Sequence, residues 1–130
     1  MSQKSKNTAC VHAGTQVDKV FRGVNTPIHT STSFEYLELD EVRYPRYFNT
    51  PNIDSLSNKL AKLEQGEAGL VFSSGMAAIS TTLFTFLKKG DHAIFQKGLY
   101  GGTFHFVTRE LENFGIAFDI TPSNEPEEFE

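Results

Sequence analysis

Residues 68–80 read Ala68-Gly69-Leu70-Val71-Phe72-Ser73-Ser74-Gly75-Met76-Ala77-Ala78-Ile79-Ser80. A short apolar run breaks at a Ser-Ser-Gly turn and resumes with helical spacing. The pattern predicts a strand over Ala68–Phe72, a turn over Ser73–Gly75 and a helix over Met76–Lys88. Met76, Ile79, Leu83 and Leu87 are spaced for burial on that helix. Lys88 and Lys89 suit the negative end of its dipole, and Gly90 stops it.

The same alternation extends in both directions. Upstream, Asn52 or Asp54 is positioned to cap a helix that carries Ile53, Leu56, Leu60 and Leu63 on one face and ends at Gly66. Downstream come a strand at His92–Gln96, a glycine-rich loop at Gly98–Thr103, a helix over Phe104–Asn113 closed by Gly115, and a strand at Ile116–Ile120. Helix, strand, helix, strand, helix, strand is the signature of an α/β fold, a parallel sheet joined by crossover helices. Ligands of such sheets bind at the carboxyl ends of strands, where turns lead into helices.

Met1 to Asp40 shows no helical period and is rich in Thr, Ser, His and Asn. It is expected to be an extended arm that covers its own domain or reaches a neighbouring subunit. The stretch Tyr44-Pro45-Arg46-Tyr47-Phe48-Asn49-Thr50-Pro51-Asn52 is aromatic and punctuated by proline, hence a structured loop. The expected division is an arm over residues 1–51 and the first part of an α/β domain over residues 52–130.

The chain has 130 residues, 38% apolar and 22% charged, which is ordinary globular composition and excludes full-length disorder or a fibrous protein. No apolar run approaches the ~18 residues of a membrane-spanning helix. Met1–Cys10 carries no signal-peptide stretch, so a soluble cytoplasmic protein is expected. The single cysteine, Cys10, excludes an internal disulfide and reads as an inert free thiol. The net charge of −4 sits at the end: setting aside Glu125, Glu127, Glu128 and Glu130 from sixteen acids leaves twelve against twelve bases. No basic stripe speaks for nucleic acid. Thr121–Glu128 reads as a capped, proline-bearing helix start after which the chain stops, so a piece of a longer protein is expected; the alternative is a frayed acidic tail.

Three features offer chemistry. At the Ser73–Ala78 turn, small residues let a ligand approach the backbone of a helix start with unpaired N–H donors, and Ser74 adds a hydroxyl: a phosphate cradle, or only a cap. It is neither a Walker loop nor a dinucleotide fingerprint. Tyr100, flanked by glycines, can present its ring face to a flat ligand or move a proton; alternatively it packs the loop. Tyr44 and Arg46, two apart in an extended segment, point to one side and can offer a hydroxyl and a guanidinium fork to a phosphate, the alternative being a solvated arginine. His12, His29, His92 and His105 have no metal-ligand spacing.

Taken together, these features resemble the N-terminal part of the transsulfuration enzymes, the cysteine and methionine metabolism group that depends on pyridoxal 5'-phosphate (PLP). The likeness runs through His12-Ala13-Gly14-Thr15-Gln16, Pro27-Ile28-His29-Thr30-Ser31-Thr32-Ser33-Phe34, Tyr44-x-Arg46-x-x-Asn49 and Leu63-Glu64. It continues through Ser74-Gly75-Met76-Ala77-Ala78, Gly90-Asp91 and Leu99-Tyr100-Gly101-Gly102-Thr103. The group includes cystathionine gamma-synthase, cystathionine lyases, O-acetylhomoserine sulfhydrylase and methionine gamma-lyase.

The resemblance implies a fold-type-I PLP domain, aminotransferase-like, with a mixed, mainly parallel sheet. It implies that the Gly75 and Met76 amides hold the cofactor phosphate, and that Tyr100 stacks on the pyridine ring and assists proton transfer. Tyr44 and Arg46 would reach the phosphate of a neighbouring subunit's cofactor, in an oligomer that is usually a tetramer, with a sulfur amino acid as substrate.

Two departures stand out. Asn49-Thr50-Pro51 replaces the usual Asn-Pro-Thr order, and Gly102 stands where methionine gamma-lyases usually carry cysteine, which favours a synthase, sulfhydrylase or cystathionine lyase. None of Lys4, Lys6, Lys19, Lys59, Lys62, Lys88, Lys89 and Lys97 matches the family's cofactor-bearing lysine, so the chain alone is expected to be inactive. The alternatives are a short non-catalytic phosphate-binding or interaction module, or part of another fold-type-I enzyme such as an aminotransferase or cysteine desulfurase.

Overall fold

His92–Phe95 (β1) and Ala117–Ile120 (β2) pair in parallel, with His92 opposite Ala117 and Phe95 opposite Ile120. This is the parallel pairing that the alternation predicts. The computed structural model describes residues 6–129, and it separates into two compact units, one ending at Val71 and one beginning at Phe72.

The second unit is built around the crossover between these strands. Helix α4 (Gly101–Arg109) follows β1, and a 3-10 turn at Glu112–Phe114 leads to β2. Val107 and Leu111, four apart, face inward with Ile116, and all three are essentially closed to solvent. Leu87, Phe95, Leu99, Phe106 and Phe118 pack around them. Burying each such side chain is worth roughly 1.5–3 kcal/mol. Gly115 takes a left-handed φ of 73°, and a Cβ there would lie 2.8 Å from Lys89 Cγ. Only glycine makes that close turn freely.

Helix α3 (Gly75–Phe86) leans on this core through Phe84, which meets Phe106 and Phe114 edge-on at centroid separations of 5.6 and 4.7 Å. It ends earlier than predicted. Leu87 is already extended, and the Lys88 N–H goes to the Asp91 carboxylate at 2.9 Å. That closed turn competes with another helical turn, so Lys88 and Lys89 lie beyond the helix and do not serve its dipole from within. Helix α4 begins three residues before the predicted Phe104. The Tyr100 carbonyl accepts the Phe104 N–H at 2.8 Å, which draws Gly101 and Gly102 out of the expected loop and into the first turn.

In the first unit, Lys6–His12 forms a short helix (α1) where no helical period was readable. Seven residues cannot hold a helix alone in water, and α1 packs on helix α2 (Pro51–Leu63). Gly14, with φ 70°, makes the approach between them: its carbonyl accepts from Ser55 Oγ at 2.7 Å, and a Cβ would strike the Ser55 carbonyl and sit 2.9 Å from Lys59 Cβ. Met1–Ser5, and with them part of the expected arm, lie outside the described residues.

Helix α2 starts at Pro51, a favoured first helical residue, with Thr50 as N-cap. Neither Asn52 nor Asp54 caps it. The expected strand at Ala68–Phe72 does not form. These residues take no strand conformation, and Gly69 among them lies against α2, where a Cβ on it would come 3.1 Å from the Ser57 carbonyl. The predicted apolar face of α2 stays open at Leu56 and Leu60, which are both nearly half exposed. At the other end, Pro126–Phe129 forms a 3-10 turn where a helix start was read.

Candidate functional site

Two helix N-termini meet in the second unit. Ser74 is extended (φ −157°, ψ 160°), and its Oγ accepts the Ala77 N–H at 3.1 Å while its carbonyl accepts the Ala78 N–H at 3.1 Å. The hydroxyl read as a phosphate ligand is thus the N-cap, although its own hydrogen stays available. This leaves the Gly75 and Met76 N–H groups without an acceptor among the described residues. Two bare donors at the positive end of a 12-residue helix favour an anion. A Cβ built on Gly75 meets nothing within 4 Å, so the space beside these donors is open.

The second N-terminus is that of α4. Its position follows from β1 and β2: Thr121, buried at the end of β2, bonds back to the Phe95 carbonyl through its N–H at 2.9 Å. Its Oγ1 accepts the Lys97 N–H at 3.2 Å. Leu99 then turns into the core, and Tyr100, the N-cap of α4, turns out with 74% of its surface exposed. Thr103 Oγ1 approaches Met76 Sδ at 3.6 Å, and Gly102 brings α4 close enough that a Cβ there would be 3.4 Å from the same sulfur and 2.8 Å from Tyr100 Cε1. Gly75, Met76 and Tyr100 are therefore gathered at one place, on the carboxyl side of β1. The arrangement offers backbone donors for a phosphate beside an exposed aromatic ring that can cover a flat group.

Tyr44 and Arg46 belong to the first unit. Tyr44 is extended, but Pro45–Tyr47 is a 3-10 turn closed by Phe48 in the left-handed conformation. Arg46 thus lies inside a turn and not in the extended segment the sequence led us to expect, so strand alternation does not set its direction relative to Tyr44. Tyr44 instead meets Tyr47 edge-on at 5.3 Å. Arg46 is exposed and makes no ion pair with any described residue.

What holds this loop was missed in the sequence. Asn49 accepts the Tyr44 N–H at 2.9 Å and donates to the Val42 carbonyl at 2.8 Å. Arg43 bonds to Asp54 at 2.7 Å, to Glu41 at 3.0 Å and to the Asn49 carbonyl. The Asp54 hydrogen bond, ahead of the attraction of Glu41, raises the Arg43 pKa further. Asn52 clamps the His29 backbone through both its amide atoms, at 3.0 and 2.7 Å. Side-chain amides and an Arg–Asp pair carry no periodicity, so only their spacing to the loop hinted at this role. Among the described residues, no group of His, Cys, Asp or Glu could hold a metal ion, and no helix is long and apolar enough to cross a membrane.

Fold and site together define a class: an α/β domain with parallel strands in which two helix N-termini meet, one of them offering bare N–H donors suited to an anion. The family described as Cys/Met metabolism PLP-dependent enzyme matches residues 7–130, and the chain belongs to that family. Its fold is the beginning of the fold-type-I PLP architecture. The chain is 37% identical to L-methionine gamma-lyase of Fusobacterium nucleatum subsp. nucleatum over 98% of its own length and 35% of the relative's. It is 39% identical to cystathionine beta-lyase MetC of Bacillus subtilis over 91% of its length and 31% of the relative's. The crystal structure of metB from Corynebacterium glutamicum superposes with a TM-score of 0.87 at 33% identity, covering 97% of this chain and 34% of that one. The chain thus spans about a third of the length of these relatives. Methionine gamma-lyases and cystathionine lyases stand at similar identity, so overall likeness does not divide them.

Proposed function

We propose that the complete protein is a PLP-dependent enzyme that makes or breaks C–S bonds at the β or γ carbon of sulfur amino acids. Cystathionine gamma-synthase, sulfhydrylase and cystathionine lyase types are favoured over methionine gamma-lyase by Gly102. The observation that carries the reading is the pair of unpartnered amides at Gly75 and Met76, beside Tyr100, in a chain of this family. These residues fit the cofactor: two N–H donors at a helix N-terminus suit its phosphate, and an exposed ring beside them suits its flat pyridine. When bound, PLP supplies an electron sink for the charge that develops at the substrate's α-carbon.

In this reading the Gly75 and Met76 N–H groups donate to the phosphate, and the dipole of α3 adds to their hold. Tyr100 covers the ring face, excludes water from it, and holds or moves a proton at its phenolic oxygen. Residues 1–51 act as an arm that reaches a neighbouring subunit, where Tyr44 offers its hydroxyl and Arg46 its guanidinium to that subunit's phosphate. The assembly is a homotetramer in the cytoplasm. This chain by itself is inactive, since none of its lysines stands in the family's cofactor-bearing context.

The test is made on the complete protein. Tyr44→Phe and Arg46→Ala are expected to weaken PLP binding in a dialysis titration while leaving the fold intact. Unchanged affinity in both would sink the assigned role of the pair. Cystathionine, methionine and O-acetylhomoserine assayed side by side then separate the reaction types, and no turnover of any of them would overturn the C–S assignment.

A further inference from the structure

One point in the site is shared by two groups from different elements. A Cβ on Gly102 would lie 2.8 Å from Tyr100 Cε1 and 3.4 Å from Met76 Sδ. Ring carbon and sulfur therefore flank one point and are no more than about 6 Å apart. The Cβ that Gly102 lacks is what leaves the ring its place. Gly102 has no left-handed φ, so its backbone does not call for glycine, and it sits inside the first turn of α4, where alanine is the better helix former. Glycine there goes against local propensity, and the one close obstacle to a side chain is the Tyr100 ring together with the Met76 sulfur.

We propose that Gly102 is a positioning residue for Tyr100. By carrying no side chain it lets the phenol ring lie back over the start of α4 toward Met76, the residue whose own N–H is one of the two free donors. A methyl group at 102 would push the ring off this seat. The ring is mostly solvent-exposed and can swing, so the fold tolerates the change while the ring's position does not. This rests on the reading of Tyr100 as the cover of the cofactor ring, and it adds that residue 102 sets where that cover stands. A larger side chain at 102, such as cysteine, would then reach the site in two ways: through its own atoms and through the displaced ring.

The experiment uses the cofactor-free complete protein labelled with 3-fluorotyrosine. The fluorine resonance of Tyr100 is assigned by its loss in Tyr100→Phe. Gly102→Ala is expected to shift that resonance while leaving the remaining tyrosine resonances and the thermal midpoint essentially in place. An unmoved Tyr100 resonance overturns the proposal, as does a general shift of all resonances. The second readout is PLP affinity in a double-mutant cycle. Gly102→Ala is expected to weaken binding about two- to tenfold, the worth of a stacked aromatic pair. In a Tyr100→Ala background, where no ring remains to be displaced, it is expected to have no further effect. An equal loss in both backgrounds means that the methyl acts directly on the ligand, and refutes positioning through Tyr100. If Tyr100→Ala itself leaves affinity unchanged, the cover reading falls, while the resonance shift still decides the seating of the ring.

Discussion

Replacing Gly75 by alanine separates the two things a helix start can do, because stability and binding are expected to move in opposite directions. Gly75 is the first residue of α3, its φ is not left-handed, and an added Cβ finds no neighbour within 4 Å. Alanine is therefore accepted without strain, and the loss of glycine's freedom in the unfolded chain stabilises the protein by about 0.4–1 kcal/mol. The thermal midpoint of the cofactor-free protein should rise by a few degrees. The new methyl group, however, stands in the open space beside the Gly75 and Met76 donors. If it holds the phosphate away from one of them, a hydrogen bond to a charged group is lost, worth about 1.5–3 kcal/mol. PLP affinity should then fall roughly 10- to 150-fold. The assay pairs a thermal melt of the cofactor-free protein with equilibrium dialysis against PLP, and inorganic phosphate serves as a competitor. A raised midpoint with unchanged affinity would show that these amides do not carry the phosphate. A lowered midpoint would show that the backbone at Gly75 does not accept a side chain, against the geometry.

Three further outcomes follow from single contacts. Ser74→Ala removes the acceptor of the Ala77 N–H and should cost about 1 kcal/mol in a denaturant titration, with Ser74→Asp restoring most of it. Gly14→Ala meets both a left-handed φ and the Ser55 carbonyl, so a loss of at least ~1–2 kcal/mol is expected, and a neutral result would contradict the packing of α1 on α2. The Asp18 carboxylate accepts the N–H groups of Phe21 and Val20 at 2.9 Å each, and the bond from Phe21 above all holds its pKa below the ordinary carboxylate value. The folded-state pKa is depressed, so the turn's contribution is present above the unfolded pKa of ~3.9 and lost as pH falls through the folded one. A carboxyl-carbon NMR titration should place the Asp18 midpoint below ordinary aspartate, and a midpoint at or above it would refute the turn.

Much of the site was legible because its parts are local. Ser74-Gly75 before an apolar helical period announces a helix start, and the dipole and bare amides follow from helix geometry wherever that start falls. Tyr100 between glycines was legible for the same reason. Tyr44 and Arg46 were legible as residues but not as a geometry, because Pro45 and the left-handed Phe48 fold the segment into a turn. Asn52 and Asp54 read as caps, yet His29 and Arg43, 23 and 11 residues away, claim their side chains.

The alternation from Asn52 onward, with its turn residues, determined by itself an α/β chain with parallel strands, since crossover connections leave few other arrangements for such a pattern. Order and spacing of short motifs determined the family. Only the tertiary structure decided that α1 is a helix, because a seven-residue helix owes its existence to the surface it packs on. It alone decided that Ala68–Phe72 is no strand, because apolar residues by themselves do not make one. It alone brought the sulfur of Met76, the missing Cβ of Gly102 and the ring of Tyr100 to one point. A contact between residues more than twenty positions apart depends on how two helices meet, and no periodicity along the chain encodes that distance.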